Sequence, residues 1–238
     1  NLKKTNRMNE KFQKIYNLTY SQKKYNEAIL AIENDCTQKN NDISAIEAFC
    51  LFETKQYDKA AELYKKINLP FQEGFCYLMM GNISKAKEIW NKTPDSSAVL
   101  WGQTVIGIIE SKINHFPTYF QIRNYLESTL SYLFEAKRYD YIEKLISAKE
   151  FLAEFNIESY RIIGKVLLEY NWFNLSKQYL EKSVGELPQD YEAYYLLGLW
   201  YYQNNEPKKA KYFLRRCVDI NDYYSAASKL IDKINEID

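Results

Sequence analysis

Acid–base catalysis requires convergent side chains with tuned protonation states, and the sequence offers a single histidine, His115. It lies in the loop-like run 114–117, which is typical of a surface turn, and no serine or cysteine stands near it in a catalytic motif. Glycine-rich phosphate loops, metal-ligand spacings and the Gly-x-Ser-x-Gly elbow do not occur. Carboxylate pairs such as Glu33 and Asp35 fall on polar helix surfaces, where we expect them to be solvated. We therefore predict a protein that is not an enzyme and that has no cofactor or metal site.

The four cysteines give information on the cellular compartment rather than on chemistry. They are widely spaced, form no Cys-x-x-Cys pair and fall in apolar helical patterns, at Cys36, Cys50, Cys76 and Cys217. A thiol in that setting behaves as a small apolar side chain, so we predict reduced, structural cysteines and prefer the cytoplasm. Because the sequence begins at Asn1 without a methionine, it stays compatible with a leader or anchor that has been removed.

Net charge and hydropathy argue against two kinds of partner. Lys and Arg number 32 against 31 Asp and Glu, so the formal charge is +1 and no net field attracts nucleic acid or an anionic membrane. The longest apolar stretch, 98–109, is interrupted by polar and glycine residues and is shorter than the about 20 residues that span a bilayer. We predict no membrane insertion, and any electrostatic recognition must be local.

A repeat in the last third of the chain makes binding the more promising function. Two segments, 157–190 and 191–222, carry the same skeleton of aromatic, Leu/Ile-Gly and small residues at a spacing of 34. The shared positions are Tyr160, Ile163, Gly164, Leu167, Asn171, Ser176 and Leu180 in the first segment and Tyr194, Leu197, Gly198, Tyr201, Asn205, Ala210 and Leu214 in the second. A fixed period of this length predicts stacked helix pairs, which leave an extended surface free for a partner.

A short unit, in which a small residue follows three positions after an aromatic residue, predicts where each second helix begins. The unit recurs, with some substitutions, as the pairs Tyr25/Ala28, Tyr57/Ala60, Ile83/Ala86, Tyr139/Ile142, Phe173/Ser176 and Pro207/Ala210. We expect the aromatic residue to wedge into the turn between paired helices, while the small residue lets the second helix approach the first closely.

Two glycines fall inside predicted first helices, at Gly164 and Gly198. A glycine there costs about 1 kcal/mol relative to alanine, so the cost needs an offset. We predict close packing against the partner helix, because a backbone without a side chain admits a neighbouring Leu or aromatic side chain whose burial yields about 1.5–3 kcal/mol.

With these residues in place, the pattern over 157–222, including the closing Pro188, resembles the tetratricopeptide repeat. The units around Tyr25, Tyr57 and Ile83 resemble it more loosely, because they lie 32 and then 26 residues apart instead of 34. The resemblance implies an all-α, right-handed superhelix of antiparallel helix pairs that acts by binding another protein.

We predict one solenoid domain over 1–238 with four parts. Degenerate repeats occupy 7–94, and an irregular junction occupies 95–137, where the helical patterns 95–112 and 117–137 break the rhythm. Clearer repeats follow over 138–221, and an amphipathic capping helix over 222–237 ends the chain. The alternative for that last helix is a docking helix for another protein.

The resemblance also implies which side chains line the inner groove, since the family uses the second, fifth, ninth and twelfth positions of each first helix. With Gly164 and Gly198 at the eighth position, these are Glu158, Arg161, Lys165 and Leu168, then Glu192, Tyr195, Leu199 and Tyr202. The same register projected onto the weaker repeats gives Phe49, Phe52, Phe71 and Phe75. The alternative is that these phenylalanines pack between shortened helices.

The predicted function is an interaction scaffold or adaptor that binds a peptide or a partner protein in this groove. Arg161 and Lys165 supply cations one turn apart for an acidic peptide, but Lys165 and Ser131 stand where a chaperone-tail clamp has asparagine. One alternative is a nucleic-acid-associated repeat protein, for which the basic cluster is Lys208, Lys209, Lys211, Arg215 and Arg216. Another is a regulatory domain of a larger protein. The sequence indicates neither the partner nor the oligomeric state.

Overall fold

The computed structural model describes residues 10–36 and 39–236, and within them every regular element is a helix. The helices are α1 (10–21, ending in a π-helical turn at Asn17–Ser21), α2 (Tyr25–Asp35), α3 (Asn41–Glu53), α4 (Tyr57–Lys66), α5 (Pro70–Met79), α6 (Ile83–Asn91), α7 (Ser97–Ile109), α8 (Tyr119–Glu135), α9 (Tyr139–Ser147), α10 (Lys149–Phe155), α11 (Ser159–Glu169), α12 (Phe173–Glu186), α13 (Tyr191–Gln203), α14 (Pro207–Ile220) and α15 (Ser225–Asn235). The predicted all-α fold class is confirmed.

The chain divides into two compact units, 1–106 and 107–238, and the division falls inside α7. It therefore lies within the segment 95–137 that the sequence marks as irregular. In unit 1 each helix from α2 to α6 packs against the next one along the chain, and in unit 2 the same holds from α10 to α15. Both units are thus built by stacking consecutive helices, as in a helical solenoid.

All six second helices begin at the residue predicted from the sequence, namely Tyr25, Tyr57, Ile83, Tyr139, Phe173 and Pro207. Two positions before each start, the backbone adopts a positive φ, at Lys23, Lys55, Gly81, Lys137, Asn171 and Asn205. In five of the six turns the next amide donates to the carbonyl five residues earlier, as Gln56 N does to Leu51 O at 2.8 Å. This Schellman geometry ends the first helix and turns the chain into the second.

The third residue after each start is fully buried in all six pairs, at Ala28, Ala60, Ala86, Ile142, Ser176 and Ala210. Ser176 also donates its hydroxyl to the carbonyl of Gly164 at 2.7 Å, which ties α12 to α11. Two of the aromatic residues pack on the preceding helix, Tyr57 on Phe52 with ring centroids 5.2 Å apart and Tyr139 on Phe134 at 6.4 Å. In five of the six pairs a small side chain at this recurring position therefore allows the close approach, and Ile142 is the exception.

The packing glycines sit where the sequence predicted. A Cβ atom added to Gly164 would lie 2.8 Å from Leu180 Cγ, and one added to Gly198 would lie 2.6 Å from Leu214 Cγ. In unit 1, Trp90 fills the corresponding space, because Gly74 and Gly102 both face its indole ring, which is fully buried. The expected offset to the glycine cost is confirmed as burial of a large side chain against the bare backbone.

The last helix, α15, packs against α14 and buries Ala227 and Ile234, as the predicted capping helix requires. Residues 7–9, which the sequence assigns to the first repeat, and residue 237 lie outside the described residues. Within residues 10–36 and 39–236, no helix combines the length and the apolar character needed to cross a membrane.

Candidate functional site

The groove positions predicted on α11 and α13 contact one another and side chains of neighbouring helices. Lys165 on α11 donates to Glu127 Oε1 on α8 at 2.6 Å. Arg161 on α11 contacts Glu192 on α13, and the Lys233 ammonium lies 5.5 Å from the ring centroid of Tyr202. We call the surface formed by these positions on α8, α11 and α13 the first-helix face of unit 2.

Arg161 is the most heavily bonded side chain of this face. Its guanidinium donates to Asp190 Oδ2 at 2.7 Å, to Glu192 Oε2 at 2.5 Å and to Glu158 Oε1 at 3.0 Å. The side chain is only 14% exposed. Burial acts to lower the pKa of Arg161, but the three carboxylates, with Asp190 first, outweigh it and raise that pKa.

Asp190 joins this cluster to the start of α13. While Oδ2 accepts from Arg161, Oδ1 accepts from the backbone amide of Ala193 at 3.2 Å, which caps the helix. One carboxylate therefore fixes both the guanidinium and the helix N-terminus. We call Arg161, Glu158, Asp190 and Glu192 the arginine cluster, and it ties α11 to α13.

The arginine cluster changes the role expected for Arg161. The sequence suggested a surface cation available to an acidic peptide, whereas the structure surrounds this guanidinium with three carboxylates of the same chain. A partner carboxylate would have to displace one of them, and separating a buried charge from its partners is costly.

Lys165 is more accessible than Arg161, with its side chain 35% exposed. Besides its bond to Glu127, its ammonium lies 4.0 Å from Glu169 on the next turn. Burial raises the pKa of Glu169, and Lys165 offsets this effect in part. Nearby, the Tyr170 hydroxyl donates to Glu135 Oε1 at 3.0 Å, and its pKa rises to about 12 because of burial and this carboxylate.

An apolar strip on α13 borders the arginine cluster. Tyr195, Leu199 and Tyr202 follow one another at helical spacing and are all half-buried. Tyr195 packs edge-on against Tyr224, with ring centroids 5.2 Å apart. Leu168, predicted for the groove, is only 4% exposed and belongs to the core of unit 2, so its side chain is not available to a partner.

The predicted phenylalanines of unit 1 form an aromatic surface, with one exception. Phe49 stacks on Tyr20 at 5.5 Å, and Phe71 stacks on Phe75 at 5.8 Å; all three phenylalanines are half-buried. Phe52 is 7% exposed and packs between Tyr57 and Phe75, so it follows the packing alternative. We call Phe49, Phe71 and Phe75, together with the exposed Tyr16 and Tyr20 of α1, the first-helix face of unit 1.

Sequence comparison identifies the repeat that carries the apolar strip. Residues 192–221, which span most of α13 and all of α14, match the tetratricopeptide repeat family. The chain therefore contains a tetratricopeptide repeat over these residues. A search of curated protein sequences finds no match.

Solved structures similar to this chain include several that are described as tetratricopeptide repeat proteins. A tetratricopeptide repeat protein from Parabacteroides merdae is 12% identical, covers 96% of this chain and 99% of its own, and has a TM-score of 0.41. YrrB, described as a TPR protein with an unusual peptide-binding site, is 16% identical over 84% of this chain and 95% of its own, with a TM-score of 0.35. The C-terminal part of a TPR protein from Cytophaga hutchinsonii is 18% identical over 92% and 98%, with a TM-score of 0.35. Similarity at this level carries no argument about ligands.

Other residues considered for chemistry lie apart from these faces. His115 is exposed on the loop before α8. Among the described residues, no group of three or more His, Cys, Asp or Glu side chains is arranged to hold a metal ion. Burial raises the pKa of the Cys76 thiol to about 12 and that of Cys217 to about 11, so both are protonated at neutral pH and unreactive.

Proposed function

We propose that this protein is an interaction scaffold whose unit 2 binds a segment of another protein on its first-helix face. The observation that carries the proposal is the placement of an apolar strip, Tyr195, Leu199 and Tyr202, beside the charged residues of α11. A partner helix or extended segment with one apolar side and polar neighbours matches such a surface.

Aromatic side chains at half-exposed positions suit the apolar part of this contact. Tyr195 and Tyr202 keep part of each ring accessible while their inner edges pack against α15 and the segment before it. Rigid aromatic anchors of this kind often supply most of the binding free energy at protein interfaces. Leu199 lies between the two rings and continues the strip.

Within this proposal Arg161 shapes the face instead of contacting the partner. The arginine cluster holds α11 and α13 at a fixed separation, so the apolar strip and Lys165 keep their relative positions. Lys165, the more exposed cation, makes the polar contact in our proposal. A partner carboxylate can compete with Glu127 for this ammonium more readily than it can enter the arginine cluster, since surface ion pairs contribute little.

Selection of peptides against the full chain tests the proposal. Random peptides displayed on phage are selected for binding to the full chain. Each selected peptide is then synthesised, and its affinity is measured by fluorescence anisotropy. We expect Tyr202→Ala to weaken binding about tenfold, the loss typical of an interface anchor. The matched control is Tyr212→Ala, a substitution at a 60% exposed tyrosine of α14, which should change the affinity by less than about twofold.

Two results would contradict the proposal. One is failure of the selection to enrich any peptide, and the other is a set of peptides that bind the Tyr202→Ala variant as tightly as the parent. Thermal melts of both tyrosine variants show whether each one folds, so a loss of affinity is not mistaken for unfolding.

The first-helix face of unit 1 is a second proposed surface. The rings of the exposed Tyr16 and Tyr20 contact each other, with centroids 4.7 Å apart, and Tyr20 stacks on Phe49. The three side chains form an accessible row of aromatic rings. Phe71 and Phe75 are part of the same proposal. If the selected peptides also lose affinity for a Phe49→Ala variant, unit 1 takes part in binding; if they do not, unit 2 suffices.

We also propose that the protein has no enzymatic activity and works in the cytoplasm. The first proposal is supported by the single histidine and by the high pKa of the buried thiols. The second is supported by four free cysteines, which suit a reducing compartment. Fractionation of the source cells followed by immunoblotting tests the location.

A further inference from the structure

The exposed side of α14 carries a compact basic patch. Within residues 208–216 of this helix, the exposed cations are Lys208, Lys209, Arg215 and Arg216. At 100° per residue these four side chains point to one side of the helix, and at 1.5 Å per residue they span about 12 Å along its axis. This density of positive charge contrasts with the overall balance of charge in the chain.

Few carboxylates neutralise this patch. Lys209 pairs with Glu206 at its own helix start, and Asp219 is exposed one turn beyond Arg215. Lys208 and Arg215 have no ion-pair partner among the described residues. On the neighbouring second helix, α12, the exposed Glu181 and Glu186 are already paired with lysines of that helix.

An exposed aromatic ring lies in the middle of the patch. Tyr212 is 60% exposed, one turn after Lys208 and one turn before Arg215 and Arg216. Its ring meets Phe213 edge to face at 86°, with centroids 5.1 Å apart, so the packing leaves the Tyr212 ring largely accessible. Cations that flank an accessible aromatic ring are the pattern found in sites for single-stranded nucleic acids, where phosphates pair with the cations and a base stacks on the ring.

We propose that the exposed side of α14, centred on Lys208, Tyr212 and Arg215, binds single-stranded nucleic acid. The phosphates contact Lys208, Arg215 and Arg216, and a base stacks on Tyr212. The patch is separate from the first-helix face, so this site does not depend on the proposed peptide contact. An acidic protein segment would use the cations but would have no need of the accessible ring, which is why nucleic acid is the favoured partner.

Fluorescence anisotropy with the full chain and fluorescein-labelled dT20 or rU20 at 50 mM salt tests this site. We expect the double variant K208A/R215A to weaken binding at least about tenfold, and the logarithm of affinity for the parent to fall with the logarithm of salt at a slope of about −2, as three phosphate contacts imply. Tyr212→Ala should weaken binding by about fivefold or more, whereas Tyr212→Phe retains binding.

The matched control is K66A/K144A, which removes two exposed lysines from α4 and α9 and so changes the net charge equally. Three results would overturn the proposal. The first is that the parent does not bind either oligonucleotide at 50 mM salt. The second is that the control variant loses as much affinity as K208A/R215A. The third is that an oligoglutamate peptide competes as well as dT20 while Tyr212→Ala has no effect on binding. The last result would assign the patch to an acidic protein segment.

Discussion

The first-helix faces of the two units are built on the same helix pairs but carry different chemistry. In unit 1 the face is a row of rings, with Tyr16, Tyr20 and Phe49 in successive contact. In unit 2 the α11 positions form ion pairs, with Arg161 joined to three carboxylates and Lys165 joined to Glu127, beside the apolar strip of α13. The two units share their turns, small residues and glycines. The repeat architecture therefore fixes the direction of a side chain but not its chemical character.

The interiors of the two units, by contrast, are alike in that each encloses a fully buried cysteine. The largest expected effect is therefore a difference in alkylation rate between buried and accessible thiols. At pH 8 iodoacetamide should modify Cys36, which is half-buried, at least about a hundredfold faster than Cys76 of unit 1 and Cys217 of unit 2. The reason is that burial raises the pKa of Cys76 to about 12 and that of Cys217 to about 11, which suppresses the thiolate. Mass spectrometry of digests taken over time measures the three rates.

The same thiols make stability fall in alkaline solution. Unfolded thiols ionise near pH 8.5, whereas the folded ones stay protonated until pH approaches 11 for Cys217 and 12 for Cys76. Their contribution to folding is therefore present below about pH 8.5 and is lost as pH rises toward those values. Rapid labelling of Cys76 at pH 8 in the folded protein would refute the shared, tightly packed interior.

Alanine substitutions at the packing glycines compare the packing of the two units, because the neighbouring side chain is a tryptophan in unit 1 and a leucine in unit 2. Gly74→Ala places a methyl group against the fully buried Trp90, which cannot move aside, and should lower the free energy of unfolding by about 3 kcal/mol. Gly198→Ala faces Leu214, whose aliphatic side chain is smaller than the indole ring of Trp90, and should cost less, about 2 kcal/mol. Chemical denaturation followed by circular dichroism measures both.

The control for these substitutions is Gly185→Ala on α12. No atom lies within 4 Å of a Cβ atom added there, so the better helix propensity of alanine should raise stability by up to about 1 kcal/mol. If Gly74→Ala were as stable as the parent, the glycine-to-tryptophan packing described for unit 1 would be wrong.

Removal of the central cation tests how much the ionic face of unit 2 contributes. Arg161→Met should destabilise the protein by about 2 kcal/mol, because the nearly buried Asp190 loses its charged partner. The sequence alone predicted a cation available to an acidic peptide. The control is Lys182→Met, whose pair with Glu186 is about half exposed, and which should leave stability unchanged within the error of the measurement. Equal effects of the two substitutions would show that the arginine cluster contributes no more to the stability of the protein than an exposed ion pair does.

The smallest expected effect concerns the turn that both units share. Lys55 in unit 1 and Lys137 in unit 2 adopt φ values of 65° and 57°, a region that costs a side chain free energy and suits glycine. Replacement of either by glycine should raise the thermal midpoint slightly, by the equivalent of about 0.5 kcal/mol, since the larger entropy of unfolded glycine offsets part of the gain. A loss of stability in either variant would contradict the assigned turn geometry.

Much of the fold could be predicted from the sequence because its signals are local. The recurring unit of an aromatic residue and a small residue three positions later, with its substitutions, predicted the start of all six second helices, and the glycines at 164 and 198 predicted two close helix contacts. The turn conformation at Lys55 and Lys137 could not be predicted, since lysine has no preference for positive φ and only the surrounding helices impose it.

The candidate site was harder to predict because its chemistry depends on residues far apart in the sequence. Arg161 pairs with Asp190 and Glu192, 29 and 31 residues later. The 34-residue register contains this information, because it sets the fifth position of one repeat beside the second position of the next. Burial of Leu168 and Phe52 could not be read from the register, which gives the direction of a side chain but not the neighbour that covers it.

The most direct test of a protein-binding first-helix face in unit 2 is photocrosslinking in the cells that produce this protein. Benzoylphenylalanine replaces Tyr202 in one strain and the 60% exposed Tyr212 in another, and crosslinked species are resolved by immunoblotting and mass spectrometry. We predict discrete protein adducts from position 202 and none from position 212. Adducts from position 212 alone, or the same adducts from both positions, would contradict the assignment of the binding surface to the first-helix face.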